Sequence, residues 1–281
     1  MTKEKILEKG FLLIALSSIS ILALIAFFIF QQGIPLIWKV GLNSFLLGDR
    51  WFPSKESFGI LPMIVGSFWV TLGSLIVGVP LGVACAVFLC ELTPPTLAMV
   101  LRPMIQLLAA IPSVIYGFWG LIVLVPLIRN HLGGPGLSIL SGALVLGFMI
   151  LPTIISISED SLRALPRTFK EGALSLGATH WQSIWRVLLP AARSGIVASV
   201  ILGMGRAIGE TMAMIMILGN APQMPHSILN SARTLTTNIG IEMGYASGDH
   251  RQALFATGVV LFFIIMSLNS LALFISRKGR A

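Results

Sequence analysis

The feature that most constrains the fold is a series of six apolar runs, each about as long as a membrane is wide. About 20 apolar residues are needed to cross a bilayer core as an α-helix. The chain is 56% hydrophobic and only 11% charged, with a mean hydropathy of +0.92, which a water-soluble domain of 281 residues does not tolerate. We therefore predict an all-α, polytopic membrane protein with six transmembrane helices, at residues 11–30, 63–89, 103–127, 137–157, 195–218 and 253–275.

The distribution of positive charge predicts how the chain crosses the membrane. With six spans, the segments on one side hold twelve of the 19 Lys and Arg residues, those on the other hold six, and Arg206 stays within the membrane. Cytoplasmic loops carry an excess of Lys and Arg. We therefore expect both termini of the chain to lie in the cytoplasm. This bias accounts for the net charge of +8, so no nucleic-acid partner is predicted.

The same segments divide the chain into five parts. The first apolar run is too long for the core of a signal peptide, and no small-residue cleavage site follows it, so we expect it to be retained. The predicted parts are a cytoplasmic N-terminus at 1–10, the first transmembrane helix at 11–30, an outer segment at 31–62, a transmembrane domain at 63–275 with an inner loop at 158–194, and a cytoplasmic tail at 276–281.

Residues 170–190 form the longest polar interruption of the chain and carry the local signals of two short helices joined at a glycine. Pro166 suits the start of the first helix, because its missing N–H would be unpaired there. Gly177 suits the left-handed position after that helix ends. Thr179 then begins the second helix, with Gln182 at the spacing of a capping box. The signals fit a docking hairpin, and they also fit an ordinary amphipathic loop at the membrane surface.

The hairpin is predicted to carry an apolar stripe beside polar contacts. Pro190 is expected to bend or end the second helix. The stripe consists of Trp181, Ile184 and Trp185, and the polar contacts come from Lys170, Glu171, His180 and Arg186.

The order of residues in the hairpin resembles the EAA motif of ABC importer permeases, written EAA-x3-G-x9-I-x-LP. The chain reads Glu171-Gly172-Ala173, then Gly177, then VLLP at 187–190, so Gly172 and Val187 depart from the motif. In that family the hairpin docks in a cleft of the ATP-binding subunit. The resemblance implies a type I, MetI-like permease fold and an ABC type-1 transmembrane domain at 63–275. It also implies coupling to ATP hydrolysis through Glu171, Gly172, Ala173, Gly177, Ala178, Thr179 and Pro190.

The predicted fifth span contains two charged residues, Arg206 and Glu210, four positions apart. On one continuous helix they share a face. A central arginine costs about 2.5–3.5 kcal/mol to insert, and such residues normally face a cavity or a partner. Gly205 and Gly209 form a GxxxG step, which lets another backbone approach closely. An arginine in such a place suits an oxyanion, which it binds through bidentate hydrogen bonds. A self-neutralising structural pair also fits the two residues.

Residues 205–213 read GRAIGETMA and resemble the signature of PstC-type permeases of phosphate-specific ABC importers. The runs FGILP at 58–62, AAIPSVIYG at 109–117 and GATHW at 177–181 are similar to the same family. There the Arg and Glu of this run are implicated in phosphate passage, so the resemblance implies a substrate pathway through Arg206, Glu210 and the adjacent Thr211. It also implies a PstA-type second permease, two PstB-type ATP-binding subunits and an external PstS-type phosphate-binding protein.

Signatures of catalysis are missing from the sequence. It contains no GxxxxGK[ST] phosphate loop, HExxH, GxSxG or close set of Cys and His residues. We therefore predict a transport subunit that is not an enzyme, with no cofactor, no metal site and no catalytic residue. Two alternatives remain at this point. One is a permease for another oxyanion, and the other is an ion-coupled secondary transporter that uses Arg206 and Glu210 as a proton relay.

Overall fold

The computed structural model describes residues 2–278, with side chains for residues 7–270. The predicted tail at 276–281 therefore lies outside the described side chains, and its last three residues lie outside the description altogether. The helices are α1 Thr2–Val40, α2 Leu42–Leu47, α3 Leu61–Val87, α4 Pro95–Ala110, α5 Ser113–Trp119, α6 Val125–Leu132, α7 Ile139–Arg163, α8 Arg167–Ser175, α9 His180–Ser183, α10 Leu189–Ala191, α11 Arg193–Gly209, α12 Met212–Ile217, α13 Leu235–Glu242 and α14 Gly248–Lys278. Two short strands, β1 Trp51–Phe52 and β2 Ser57–Phe58, pair antiparallel.

Within the part of the chain that the structure describes, five helical segments are long and apolar enough to cross a membrane, and a bent pair makes a sixth. The pair consists of His180–Ala191 and Arg193–Gly209, which meet at 68°. The all-α, polytopic prediction is therefore confirmed, and six spans result when the bent pair counts as one. The other spans are Leu7–Val40, Leu61–Leu92, Ser113–Leu132, Ile139–Arg163 and Gly248–Ser270.

The first helix continues ten residues beyond its predicted end at residue 30 and reaches Val40, with Pro35 inside it. Packing on α14 explains the extension. Gly33 lies so close to α14 that a Cβ there would come within 2.7 Å of the Ala256 nitrogen, and Leu36 is fully buried. Part of the predicted outer segment at 31–62 is therefore helix packed against the last span.

The third predicted span, 103–127, is wrong as a single helix, because the chain breaks at Ile111 and Pro112. Ile111 is extended, with φ −65° and ψ 126°, and the membrane-spanning segment begins at Ser113. A proline disfavours the helical conformation of the residue before it and supplies no N–H to the carbonyl four residues back. That carbonyl belongs to Leu108, and the Tyr116 hydroxyl donates to its oxygen at 2.9 Å. A side-chain hydrogen bond from α5 to α4 therefore bridges the break.

The fifth predicted span, 195–218, is also wrong as a single helix. It ends at Gly209, resumes at Met212, and leaves Glu210 extended with φ −69° and ψ 128°. No proline is present here. The Thr236 hydroxyl, at the start of α13, instead donates to the Glu210 carbonyl oxygen at 2.9 Å. A tertiary hydrogen bond thus satisfies a backbone group that the broken helix leaves free.

The centre of the bundle is the pair α3 and α7, which pack through glycines. A Cβ on Gly82 would lie 2.6 Å from the Ile154 side chain, and one on Gly78 would lie 2.8 Å from Ile150. Small residues let membrane helices approach this closely. The same helices contain Pro80 and Pro152 without a break. Pro112, in contrast, lies at a break between α4 and α5.

The bundle has two ends that differ in structure. At one end the loop between α7 and α11 forms α8, α9 and α10, which we call the hairpin. At the other end lie the strands and α13, a helix within a segment, residues 220–248, whose sequence lacks strong periodicity. Lys39 at the end of α1 pairs with Asp249 at the start of α14 there. We call these the hairpin end and the strand end.

Candidate functional site

The hairpin turns at Gly177 as the sequence predicts. Gly177 has a φ of +84° and lies just after the C-cap residue Leu176 of α8. Its N–H donates to Leu174 O at 3.0 Å, and the Ala178 N–H donates to Ala173 O at 3.1 Å. These two bonds are the Schellman motif, which satisfies carbonyls at a helix end. The predicted turn geometry is confirmed.

The second helix of the hairpin begins with the predicted capping box. The Gln182 N–H donates to Thr179 Oγ1 at 3.2 Å, and the Thr179 N–H donates to Gln182 Oε1 at 2.9 Å. The helix then passes through a π-helical turn at Ile184–Leu188 and continues past Pro190 to Ala191. The bend expected at Pro190 therefore falls two residues later, at Ala192.

The motif residues of the hairpin face away from the bundle. Helix α8 has no buried residue, Glu171 and Gly172 are exposed, and Leu176 at the turn is 91% exposed. Nothing lies within 4 Å of a Cβ built on Gly172 or Gly177. Because alanine would fit at Gly172, that departure from the motif alters no contact within this chain. The arrangement leaves α8 free to contact another molecule.

The predicted apolar stripe divides between two environments. Ile184 is buried with Leu188 in a small cluster against Ala86 and Leu162. Trp181 and Trp185 are instead exposed and form an edge-to-face pair with ring centroids 5.9 Å apart. The buried members attach the second helix to the bundle, and the tryptophans extend its outer surface.

Two carboxylates at the hairpin end were missed by the sequence analysis. Glu91 Oε2, at the end of the second span, accepts from Lys170 Nζ at 2.5 Å and lies 3.5 Å from His180 Nε2. Glu159 Oε1, near the end of α7, accepts from Arg102 Nε at 2.6 Å and lies 3.1 Å from the Arg163 Nε. The sequence held one signal for Glu91 and Glu159, since each is an acidic residue at the end of an apolar run. Such residues are rarely left unpaired in membranes, so a cationic partner could have been expected for each.

Arg206 lies near the end of the bent span, half-buried on the last turn of α11. Among residues 7–270, its guanidinium makes no ion pair or hydrogen bond. The prediction that Arg206 and Glu210 share a helix face is wrong, because the helix ends at Gly209. Glu210 Oε1 accepts from the Ala213 N–H at 3.1 Å and so caps the next helix. The neighbouring Thr211 hydroxyl donates to Gly209 O at 3.2 Å.

The face beside Arg206 is open. Nothing in this chain lies within 4 Å of a Cβ on Gly205 or Gly209, whereas Gly203 packs on Ile154. The close approach predicted for the GxxxG step is therefore not made within the described chain, and it stays a prediction for a partner.

The two breaks meet at this level of the bundle. A Cβ on Gly117, just beyond the first break, would lie 2.9 Å from the Ala213 Cα, just beyond the second. Tyr116, whose hydroxyl donates to Leu108 O across the first break, directly precedes Gly117 in the same helix. Two discontinuous helices beside a half-buried arginine are an arrangement that transport proteins use for anionic substrates.

A buried hub at the strand end was also missed by the sequence analysis. The Glu242 carboxylate accepts from Trp51 Nε1 at 2.8 Å, from Arg233 Nη1 at 2.5 Å and lies 2.7 Å from His250 Nε2. Burial alone would raise the pKa of Glu242, but the hydrogen bonds from Trp51, His250 and Arg233 outweigh it and hold the pKa below its ordinary value. One carboxylate thus joins β1, α14 and the loop before α13.

The arrangement of a docking hairpin on a bundle with a half-buried cation is that of an importer's membrane subunit, and comparison with known proteins identifies the class. Residues 78–280 match the family described as binding-protein-dependent transport system inner membrane component. The chain belongs to this family. It is therefore a multi-pass inner-membrane component and a permease subunit of an ABC importer.

Within the family, the relatives are close over most of the chain. It is 43% identical to the probable ABC transporter permease protein YqgH of Bacillus subtilis, over 90% of this chain and 84% of the relative. It is 37% identical to the phosphate transport system permease protein PstC of Pasteurella multocida, over 82% and 78%. The PstC protein of Haemophilus influenzae is 39% identical, over 79% and 77%. The predicted resemblance to PstC-type permeases is confirmed.

Solved structures show the same fold. A chain of a bacterial ABC transporter for alginate import superposes with a TM-score of 0.65 at 16% identity, covering 99% of both chains. A chain of the MetNI methionine transporter in an inward-facing conformation gives a TM-score of 0.59 at 20% identity, covering 79% of this chain and 94% of the other. The predicted MetI-like architecture is confirmed.

Proposed function

We propose that the substrate of this permease is inorganic phosphate and that Arg206 lies on its path. The observation that carries the proposal is the Arg206 guanidinium, half-buried between two broken helices and free of a carboxylate among the described residues. A guanidinium in a low-dielectric site favours an oxyanion, which it meets with paired N–H donors. The phosphate transport proteins among the relatives support the choice of anion.

The proposal includes the roles of the neighbouring residues. Glu210 and Thr211 form the break beside Arg206, and their backbone and side-chain groups line the same part of the path. The relation of Glu210 to Arg206 speaks against a proton relay, because the carboxylate caps Ala213 and makes no ion pair with Arg206. A phosphate path is therefore favoured over an ion-coupled relay.

We propose partners for each surface. A PstA-type permease completes the path, two PstB-type ATP-binding subunits dock on the hairpin side, and a PstS-type phosphate-binding protein docks on the strand side. The exposed α8, with Leu176 at its turn, supports docking at the hairpin, whose coupling residues are Glu171, Gly172, Ala173, Gly177, Ala178, Thr179 and Pro190. Both termini lie in the cytoplasm, since that places the larger share of Lys and Arg inside.

In the proposed cycle, ATP binding closes the two ATP-binding subunits and moves the hairpin. The second hairpin helix is packed on the bundle through Ile184 and Leu188, so its movement shifts the helices around the path. The bundle then opens toward the strand end and phosphate enters past Arg206. Hydrolysis of ATP returns the bundle to its starting conformation. Differential contact of the ATP-binding subunits with two states of the bundle is sufficient to drive this change.

Uptake of radiolabelled phosphate by cells that express the whole transporter tests the proposal, with sulfate and molybdate as competitors. Arg206→Gln is expected to lower uptake roughly a hundredfold, since it removes charge-assisted hydrogen bonds worth about 1.5–3 kcal/mol each. Arg50→Gln, the same change at an exposed arginine of the strand end, is the matched control. Membrane levels and association with the ATP-binding subunits are measured for each variant.

The outcomes separate the substrate from the site. Absence of phosphate uptake by wild type, beside uptake of labelled sulfate or molybdate, would assign another oxyanion. Normal phosphate uptake by Arg206→Gln would remove Arg206 from the path. Loss of uptake in Arg206→Gln with intact assembly, beside normal uptake in Arg50→Gln, supports both parts of the proposal.

A further inference from the structure

The two helices of the hairpin are attached to the membrane bundle in different ways. The second helix buries Ile184 and Leu188 against Ala86 and Leu162. The first helix, α8, buries no residue at all. If α8 contacts the ATP-binding subunit, a polar contact between α8 and α3 would carry its movement directly to the membrane-spanning helices.

A single carboxylate provides such a link. Glu91 Oε2 accepts from Lys170 Nζ, on α8, at 2.5 Å and lies 3.5 Å from His180 Nε2, on the second helix. One oxygen therefore contacts both helices across the turn at Gly177. The Glu91 side chain is only 11% exposed, so water screens this pair less than it screens a surface salt bridge.

The position of Glu91 connects the hairpin to the centre of the bundle. It lies in the π-helical turn Phe88–Leu92, which continues α3 without a break. Helix α3 packs on α7 through Gly78 and Gly82, where side chains and backbone are too close to slide past one another freely. A displacement of Glu91 is therefore expected to displace α3 together with α7, the helix on which it packs.

We propose that Glu91 is a positioning residue for coupling: it holds both helices of the hairpin to α3, so that movement of α8 reaches the bundle as a rigid-body movement. The inference rests on the proposed function of the hairpin. It predicts that loss of the Glu91–Lys170 pair separates ATP hydrolysis from transport without preventing the subunits from assembling.

The test uses the complete transporter in proteoliposomes, with phosphate moved per ATP hydrolysed as the readout. Glu91→Lys and Lys170→Glu are each expected to lower this ratio at least tenfold while the ATP-binding subunits still copurify. The double variant restores an opposite-charge pair and is expected to return the ratio to within threefold of wild type. Glu8→Lys makes the same charge change at an exposed position of α1 and is expected to leave the ratio unchanged.

A lower ratio in a complex that still assembles is what a merely structural role does not predict, and restoration by the charge swap assigns that change to the Glu91–Lys170 pair. An unchanged ratio in Glu91→Lys overturns the proposal, as does a double variant that stays as low as the single ones. Where reversed charge prevents assembly, Glu91→Gln is used instead, and the same fall in ratio is expected. Failure of that variant to assemble marks Glu91 as a folding residue and overturns the proposal as well.

A second readout does not depend on the substrate. Spin labels at Thr168 on α8 and Ile76 on α3, both exposed, report the distance between hairpin and bundle in a chain whose Cys85 and Cys90 are serine. Wild type is expected to keep one distance with and without ATP, and Glu91→Lys to show a change. If wild type keeps its distance but moves no phosphate, the substrate assignment fails and the Glu91 link stands.

Discussion

Arg206 and Arg233 lie on the two sides of the break in the fifth span, and their surroundings are opposite. The Arg233 side chain is 11% exposed and donates to Glu242, to Asn238 Oδ1 and to the Asn220 carbonyl. Arg206 is half-buried and makes no ion pair among the described residues. A guanidinium whose charge is already neutralised holds a structure together, whereas one left open retains its capacity to bind an anion.

The largest difference is expected in stability. Glu242→Gln leaves Arg233 and His250 buried without their carboxylate, and we expect the free energy of unfolding to fall by about 3 kcal/mol, near the lower end of the values for broken buried pairs. The amide still accepts and donates hydrogen bonds, which limits the loss. Arg206→Gln is expected to change the free energy of unfolding by less than about 0.5 kcal/mol. Thermal unfolding of the purified complexes measures both, and equal destabilisation would abolish the contrast.

The next largest effect is expected on phosphate uptake when Arg206 is replaced by lysine. Arg206→Lys keeps the positive charge but loses the planar pair of donors. We expect phosphate uptake to fall roughly tenfold, which corresponds to about 1.4 kcal/mol, and so to lie between wild type and Arg206→Gln. Initial uptake rates at several phosphate concentrations measure it. Uptake as low as in Arg206→Gln would show that donor geometry, not charge, decides passage.

A smaller effect is expected from Tyr116, which links α4 and α5 across the first break. Tyr116→Phe removes the hydroxyl that donates to Leu108 O, a carbonyl that receives no N–H from Pro112 and a long bond of 3.4 Å from the Ile111 N–H. The loss of one partly exposed hydrogen bond costs about 1 kcal/mol. Unfolding of the variant beside wild type measures the cost. A loss near that of Glu242→Gln would mean that the centre is held as tightly as the strand end.

The smallest effect near neutral pH concerns titration of the hub. Because hydrogen bonds lower the pKa of Glu242 in the folded state below its ordinary value of 4.5, its stabilising contribution is complete above that value. The contribution is lost as the pH falls through the lower, folded pKa. Stability from about pH 5 to 7 should therefore not depend on this group, and an acid-induced loss should be reduced in Glu242→Gln. Melting temperatures measured against pH for both proteins check the sign.

The parts of the structure that local sequence encodes were predictable. The hairpin turn follows from Gly177 and the capping pair of Thr179 and Gln182, which are neighbours in the chain. The break at Pro112 lies at a residue that the sequence marks as a helix breaker, although a kink within one span was expected. In each case the physical cause lies within a few residues of its effect.

The parts that distant residues determine were not predictable. The break at Glu210 depends on Thr236, 26 residues away, and the hub depends on a bond between Trp51 and Glu242, 191 residues apart. Glu159 meets Arg102 across 57 residues. Periodicity and capping rules contain no information about such pairs. The helix face assigned to Arg206 was wrong for the same reason, because α11 ends at Gly209 and does not continue to Glu210.

The bare first helix of the hairpin has a consequence for how the cell handles this subunit. A copy that has inserted but found no partner carries α8 as an uncovered amphipathic helix, with Phe169 and Leu176 exposed. Soluble proteases and chaperones recognise such surfaces. We therefore expect solitary copies to be degraded faster than assembled ones. Helix α8, which is proposed to contact the ATP-binding subunit, would then also be the feature by which unassembled subunits are recognised and degraded.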